Sequence, residues 1–94
     1  DLQDIVRCES DNSYTLFYLK DSRKIMVSSV LKEYDELLAD SGFIRVHKSH
    51  LVNLNYIDKF IKSDGGYLIM KDGASVPVSQ RKRDMIMDFF NNLQ

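Results

Sequence analysis

The sequence predicts a mainly β domain carrying two short helices. Three observations lead there. Short stretches rich in β-branched and aromatic residues recur along the chain, most of them closed by turn-forming residues. Asp64-Gly65-Gly66 and Asp72-Gly73 are hairpin signals. Apolar residues take helical spacing in two places, 30–38 and 85–93. Counting those helices, an α+β classification also fits.

The first strands are Ile5 to Glu9, Tyr14 to Leu19 and Lys24 to Val27. Ser10-Asp11-Asn12-Ser13 and Asp21-Ser22 separate them, and both links suit antiparallel hairpins. Val30, Leu31, Tyr34, Leu37 and Leu38 then form the apolar stripe of a helix. Ser28 or Ser29 can cap its start, and Gly42 suits a left-handed residue beyond its end. Glu33, Asp35, Glu36 and Asp40 make its solvent side acidic, a face expected to point away from any nucleic acid. Strands resume at Phe43 to His47, Leu51 to Asn53, Tyr56 to Lys62, Tyr67 to Met70 and Ala74 to Val78. Ser79 caps a last helix from about Gln80 to Asn92, with Met85, Ile86, Phe89, Phe90 and Leu93 as its buried stripe.

The chain has 94 residues, enough for one domain spanning 1–94 with a single core. Its 44% hydrophobic and 29% charged residues are those of a globular domain, which excludes a disordered segment. No apolar run approaches the roughly 18 residues of a membrane span, and no signal-peptide pattern opens the chain. Cys8 has no cysteine to pair with, so a reducing cytoplasm is the expected setting and a packed, unreactive thiol the expected role. The chain opens on Asp1 rather than Met and enters an apolar strand almost at once. That predicts a fragment of a longer protein whose partner domain precedes it.

The net charge is −1, against a general polyanion binder. Near-neutrality hides segregation. Between Phe43 and Lys62, Arg45, Lys48, Lys59 and Lys62 face only Asp58, and Arg81-Lys82-Arg83 falls on the first turn of the last helix. That turn carries unpaired N–H groups and favours acids, so three cations there cost a few tenths of a kcal/mol each, about the size of one dipole interaction. An external anion reverses the sign, because amides and cationic side chains then converge on it. On charge alone the anion could be DNA, RNA or an acidic protein.

Phe43-Ile44-Arg45-Val46-His47-Lys48-Ser49-His50-Leu51-Val52-Asn53 resembles the central signature of LytTR domains, Phe-x-Arg-x-His-x-Ser followed by Val-Asn. Glu9-Ser10 before a polar turn with Tyr14, and Val76-Pro77-Val78-Ser79 before a basic helix start, agree in order and spacing. The resemblance spans about Asp4 to Phe90. It implies short antiparallel strands in stacked sheets, a β-β-β sandwich, with no recognition helix of the usual kind. It also implies the output module of a transcription regulator, joined to a receiver-like N-terminal domain of a two-component response regulator. Such modules pair on imperfect direct repeats of promoter DNA, their loops and strand ends entering successive major grooves.

The resemblance places three segments at the DNA edge. In Asn12-Ser13-Tyr14, with Thr15, Asn suits adenine and the hydroxyls suit phosphate or base acceptors. Lys48 suits phosphate or a guanine edge, and Ser49 a phosphate oxygen. Arg81 stands where the family reads a base, able to grip guanine O6 and N7 for about 1–3 kcal/mol of discrimination. Lys82 and Arg83 would touch the backbone. Each has a plainer reading as turn chemistry or a solvated charge. Gln80 departs from the arginine common after the motif serine and can share base reading by pairing with adenine. His50 departs from a frequent aromatic, a packing difference.

His47-x-x-His50 suggests no metal, since residues three apart on a strand point to opposite faces and no further ligand completes a zinc set. His47 is expected to hydrogen-bond locally. No nucleophile elbow, phosphate-cradling glycine loop or paired carboxylates occur, so neither an enzyme nor a cofactor is expected. The alternative function is a protein-interaction or dimerisation module of the same fold with little DNA affinity. RNA-binding signatures are absent from the sequence.

Overall fold

The fold is that of a computed structural model, which describes residues 1–92. Leu93, expected on the last helix's stripe, lies outside the described residues. The strands are β1 (Ile5–Asp11), β2 (Tyr14–Leu19), β3 (Lys24–Val27), β4 (Phe43–His47), β5 (His50–Asn53), β6 (Ile57–Ile61), β7 (Tyr67–Met70) and β8 (Ser75–Pro77). Two helices, α1 (Leu31–Leu38) and α2 (Gln80–Asn91), complete the expected mainly β architecture. The strands form two antiparallel sheets, one ordered β3-β2-β1-β5-β4 and the other β6-β7-β8.

Side chains alternate across a strand, and β5 shows the consequence. Leu51 packs with Cys8, Phe43, Leu31 and Leu38, so α1 covers that face of the larger sheet. Val52 packs with Leu68, Val76 and Ile86, so the smaller sheet and α2 cover the other. Both residues are fully buried, each contributing about 1.5–3 kcal/mol by leaving water. The registers shift between Ile5 and Arg7 and between Arg45 and His47. The extra residues, Val6 and Val46, are buried in the core shared with the smaller sheet.

Several boundaries differ from expectation. β1 continues through Asp11, which pairs with Tyr14, leaving Asn12-Ser13 as a two-residue turn. Asn12 takes a left-handed φ of 56°, which its side chain tolerates. Neither Ser28 nor Ser29 caps α1; Val30 holds the N-cap position without a side-chain bond. The Ser29 carbonyl instead accepts a 2.7 Å bond from the buried Thr15 hydroxyl. Val30 and Leu37 are exposed: Val30 is in extended backbone before the helix, and Leu37 lies about 100° around the axis from the buried Leu38. Gly42 is left-handed as expected, after a 3₁₀ turn over Ala39–Ser41. On α2, Ile86 is buried and Phe90 stacks on Phe60, whereas Met85 is exposed. Ser79 precedes α2 but its side chain makes no capping bond.

One buried polar side chain joins the start of β1 to the end of β5. Asn53 donates from Nδ2 to the Ile5 carbonyl at 2.9 Å and accepts from the Asn55 amide at 3.0 Å. Asn53→Ala leaves both partners unmet and should lower unfolding free energy by about 1–3 kcal/mol in urea titrations. Cys8 is fully buried, and burial, opposed by Arg7, pushes its thiol up to about 12. A thiol reagent at pH 8 should therefore label native protein only as fast as the chain opens; labelling at the rate of a free thiol would contradict the packing.

Candidate nucleic-acid interface

Three surface segments meet at one end of the larger sheet, and backbone hydrogen bonds hold them there. Ser10 at the end of β1 donates its amide to the Ser49 carbonyl at 3.0 Å, joining the β1–β2 and β4–β5 turns. Ser79 donates its amide to the Val46 carbonyl at 2.8 Å, fixing the start of α2 beside the β4–β5 turn. The segments carrying Asn12, Ser13 and Tyr14, Lys48 and Ser49, and Arg81 and Lys82 are therefore neighbours. Asn12, Ser13, Tyr14, Lys48, Gln80 and Arg81 are exposed, while Ser49 and Lys82 are half-buried. Thr15 does not share that surface: it is buried on its bond to Ser29.

The β4–β5 turn is held from both sides by side chains. Arg45 donates from Nε to the His47 carbonyl at 3.1 Å and from Nη2 to the Lys48 carbonyl at 2.5 Å. Its Nη1 reaches the Asp35 carboxylate of α1 at 3.4 Å. The acidic side of α1 is thus not wholly given to solvent. His47 accepts the Ser49 amide on Nδ1 at 3.1 Å, which requires the imidazole to be unprotonated on that nitrogen. This is the local role the sequence suggested for His47.

Arg83 is also occupied by the fold. Its guanidinium donates to the Gly65 carbonyl and lies over Gly66. Gly66 has a φ of 94°, and a Cβ there would come 3.2 Å from Phe60 and 3.3 Å from Arg83. Arg83, expected to touch the backbone of a nucleic acid, thus has a partner within the fold, joining α2 to the β6–β7 turn. The roles of Arg45 and Arg83 escape sequence reasoning because their partners are mainly carbonyls, which no residue pattern reveals.

The histidines also differ from the reading of an unbroken strand. The chain reverses at Lys48-Ser49, so His47 and His50 pair across the turn with ring centroids 5.4 Å apart. They share a face after all, yet among the described residues no three His, Cys, Asp or Glu side chains gather as metal ligands. His50 is half-buried, with Nδ1 3.8 Å from Glu9, too far for a hydrogen bond. Glu9 is paired instead with Arg7 at 2.9 Å, and Arg7 lies 3.7 Å over the Tyr18 ring.

Arg7, Lys20, Arg23 and Arg45 each have a carboxylate partner. Among the described residues, Lys48, Arg81 and Lys82 have none within 4.0 Å. Other surface lysines are equally unpaired, so the signal lies in position. These three stand around a helix start whose first turn contains no acid and whose N-cap side chain makes no capping bond; the Lys82 amide is taken by the Ser79 carbonyl. The arrangement suits an anion approaching that end.

Comparison with known proteins bears on the family and the fold. The profile of the LytTr DNA-binding domain family matches residues 1–91. The heme-containing CO-sensing transcriptional regulator RcoM 2 of Paraburkholderia xenovorans is 38% identical over 85 residues, 87% of this chain and 32% of that protein. The sensory transduction protein LytT of Bacillus subtilis is 40% identical over 72 residues, 74% of this chain and 25% of that protein. The chain thus spans a third or less of these relatives. A solved LytTr DNA-binding domain from Bacillus cereus superposes with a TM-score of 0.81 at 26% identity, covering 94% of this chain and 82% of that one. No helix among the described residues is long and apolar enough to cross a membrane.

Burial, opposed by Glu9 and reinforced by His47 and Arg7, lowers the His50 pKa below its ordinary value of 6.5. The unfolded chain therefore binds a proton near pH 6.5 that the folded chain refuses, and this contribution to stability falls as pH drops through that range. His50→Phe should flatten the fall between pH 7 and pH 5 in urea titrations; curves of identical pH dependence would refute the assignment.

Proposed function

The chain belongs to the LytTr DNA-binding domain family, and from that premise we propose that it binds double-stranded DNA sequence-specifically to regulate transcription. The observation that carries this reading is the pair of backbone bonds holding three polar and cationic segments on one surface. Hairpin turns and a helix start are narrow enough for a major groove about 12 Å wide. Arg81 reads a guanine, with Gln80 beside it suited to adenine, and Asn12 reads a second base. Lys48, Ser49, Lys82 and the hydroxyls of Ser13 and Tyr14 hold phosphates and set the register. Near-neutral net charge keeps binding to arbitrary DNA weak, so affinity comes from these local contacts.

The same reading extends to the assembly. Two copies pair on direct repeats in promoter DNA, which raises affinity through effective concentration. A receiver-like domain precedes this one in the full protein and supplies the signal, in the cytoplasm. The domain binds and does not catalyse.

The competing reading, a partner-binding module, has one observation in its favour. Leu2, Phe17, Leu19, Ile25 and Val27 line an open apolar groove of about 580 Å³. Selection of duplexes from a random library separates the two readings. An enriched motif with spaced half-sites is expected. Arg81→Ala should lose about 1–3 kcal/mol of discrimination at one base. Lys48→Ala should weaken binding to all sequences and lower the salt slope by about one. Flat binding to every duplex, unaffected by either change, would move the function to a protein partner.

A further inference from the structure

Arg45 is the cation nearest in sequence to Lys48, yet its geometry is not that of a DNA contact. Its side chain is 22% exposed, and three of its donors are committed within the protein. Two go to successive carbonyls, those of His47 and Lys48, and the third goes to the Asp35 carboxylate. The amide that follows, that of Ser49, is taken by the His47 ring, and the Ser49 carbonyl by the Ser10 amide. Of the five backbone polar groups from the His47 carbonyl to the Ser49 carbonyl, four thus have partners, and Arg45 supplies two of them.

We propose that Arg45 is a positioning residue for the DNA contact of Lys48 and Ser49, with Asp35 anchoring its guanidinium from α1. The proposal rests on the DNA-binding reading above. A two-residue turn without such partners has several backbone conformations, and each sends the following side chains in a different direction. A planar guanidinium donates along fixed, diverging directions, so one side chain holds both carbonyls while the carboxylate fixes its far edge. Lysine keeps the charge but, as a compact ammonium on a flexible stem, does not reproduce this fork. Asp35 then acts in favour of binding phosphate although it is itself an anion.

That sign is the test. The 94-residue chain and its Arg45→Lys, Asp35→Ala and Lys48→Ala variants are titrated with the selected duplex over a range of salt. Hydrogen exchange of the Ser49 amide is measured in the same proteins without DNA. Positioning predicts that Arg45→Lys and Asp35→Ala each weaken binding by about 10-fold, the scale of ordering one side chain or loop, with the wild-type salt slope. Lys48→Ala lowers that slope by about one. Ser49 exchange should rise in Arg45→Lys and Asp35→Ala but not in Lys48→Ala.

A simple field effect predicts the reverse for Asp35→Ala, which removes a negative charge and should tighten binding. Tighter binding there, wild-type affinity in Arg45→Lys, or a slope lowered by about one in Arg45→Lys overturns the proposal. Should the wild-type chain select no duplex, the DNA reading itself falls. Ser49 exchange then decides the positioning role alone, and unchanged exchange in Arg45→Lys rejects it. A variant that loses the native circular dichroism spectrum is replaced by Arg45→Gln, judged by the same exchange readout.

Discussion

Burial of β5 on both faces is the constraint from which the rest of the structure follows. Leu51 and Val52 are neighbours in sequence and belong to different cores, so the larger sheet needs a cover on each side. A single short helix suffices for one face. The other needs a second sheet, and α2 closes the gap that sheet leaves. Because the Lys48-Ser49 turn leads directly into β5, its position is inherited from the most deeply buried strand of the molecule.

Most of the architecture is legible in sequence, and the exceptions have physical causes. Asp-Gly turns and alternating apolar residues are local signals, and the strands they mark stand where expected. Helix α1 is legible as a helix but not in its facing: apolar residues at 30 and 37 look like part of one stripe, yet Val30 precedes the helix in extended backbone and only Leu31 and Leu38 are buried. Neither Ser28 nor Ser29 caps it, because the helix starts later than they allow: Val30 holds the N-cap position, and the Ser29 carbonyl is bonded to Thr15, fourteen residues earlier. A strand rule places the two histidines on opposite faces, and it stops applying once the chain reverses between them.

At the candidate interface, residue types were legible and their division of labour was not. Lys48, Arg81 and Arg83 are equally cationic on paper. In space Arg83 is spent on a carbonyl of the β6–β7 turn, while Lys48 and Arg81 face solvent. Arg7 likewise pairs with Glu9, and Arg45 with Asp35 and the turn carbonyls, whereas Lys48 and Arg81 have no carboxylate partner among the described residues. A net charge of −1 is then no obstacle to holding a polyanion, because only the local field at the helix start and adjoining turn is presented to it.

The bonds from Ser10 to Ser49 and from Ser79 to Val46 are made by main-chain atoms alone. Almost any residue can make them; proline at position 10 or 79 is the exception, since it has no amide to donate. The proximity of these three segments is therefore written in the backbone, while Lys48, Gln80 and Arg81 hang from it without being needed to build it. Under the proposed function, descendants of one ancestral domain could exchange those three side chains, and with them the preferred operator, through single substitutions that leave the main-chain bonds in place. Divergence of regulatory circuits would then require no intermediate that fails to fold.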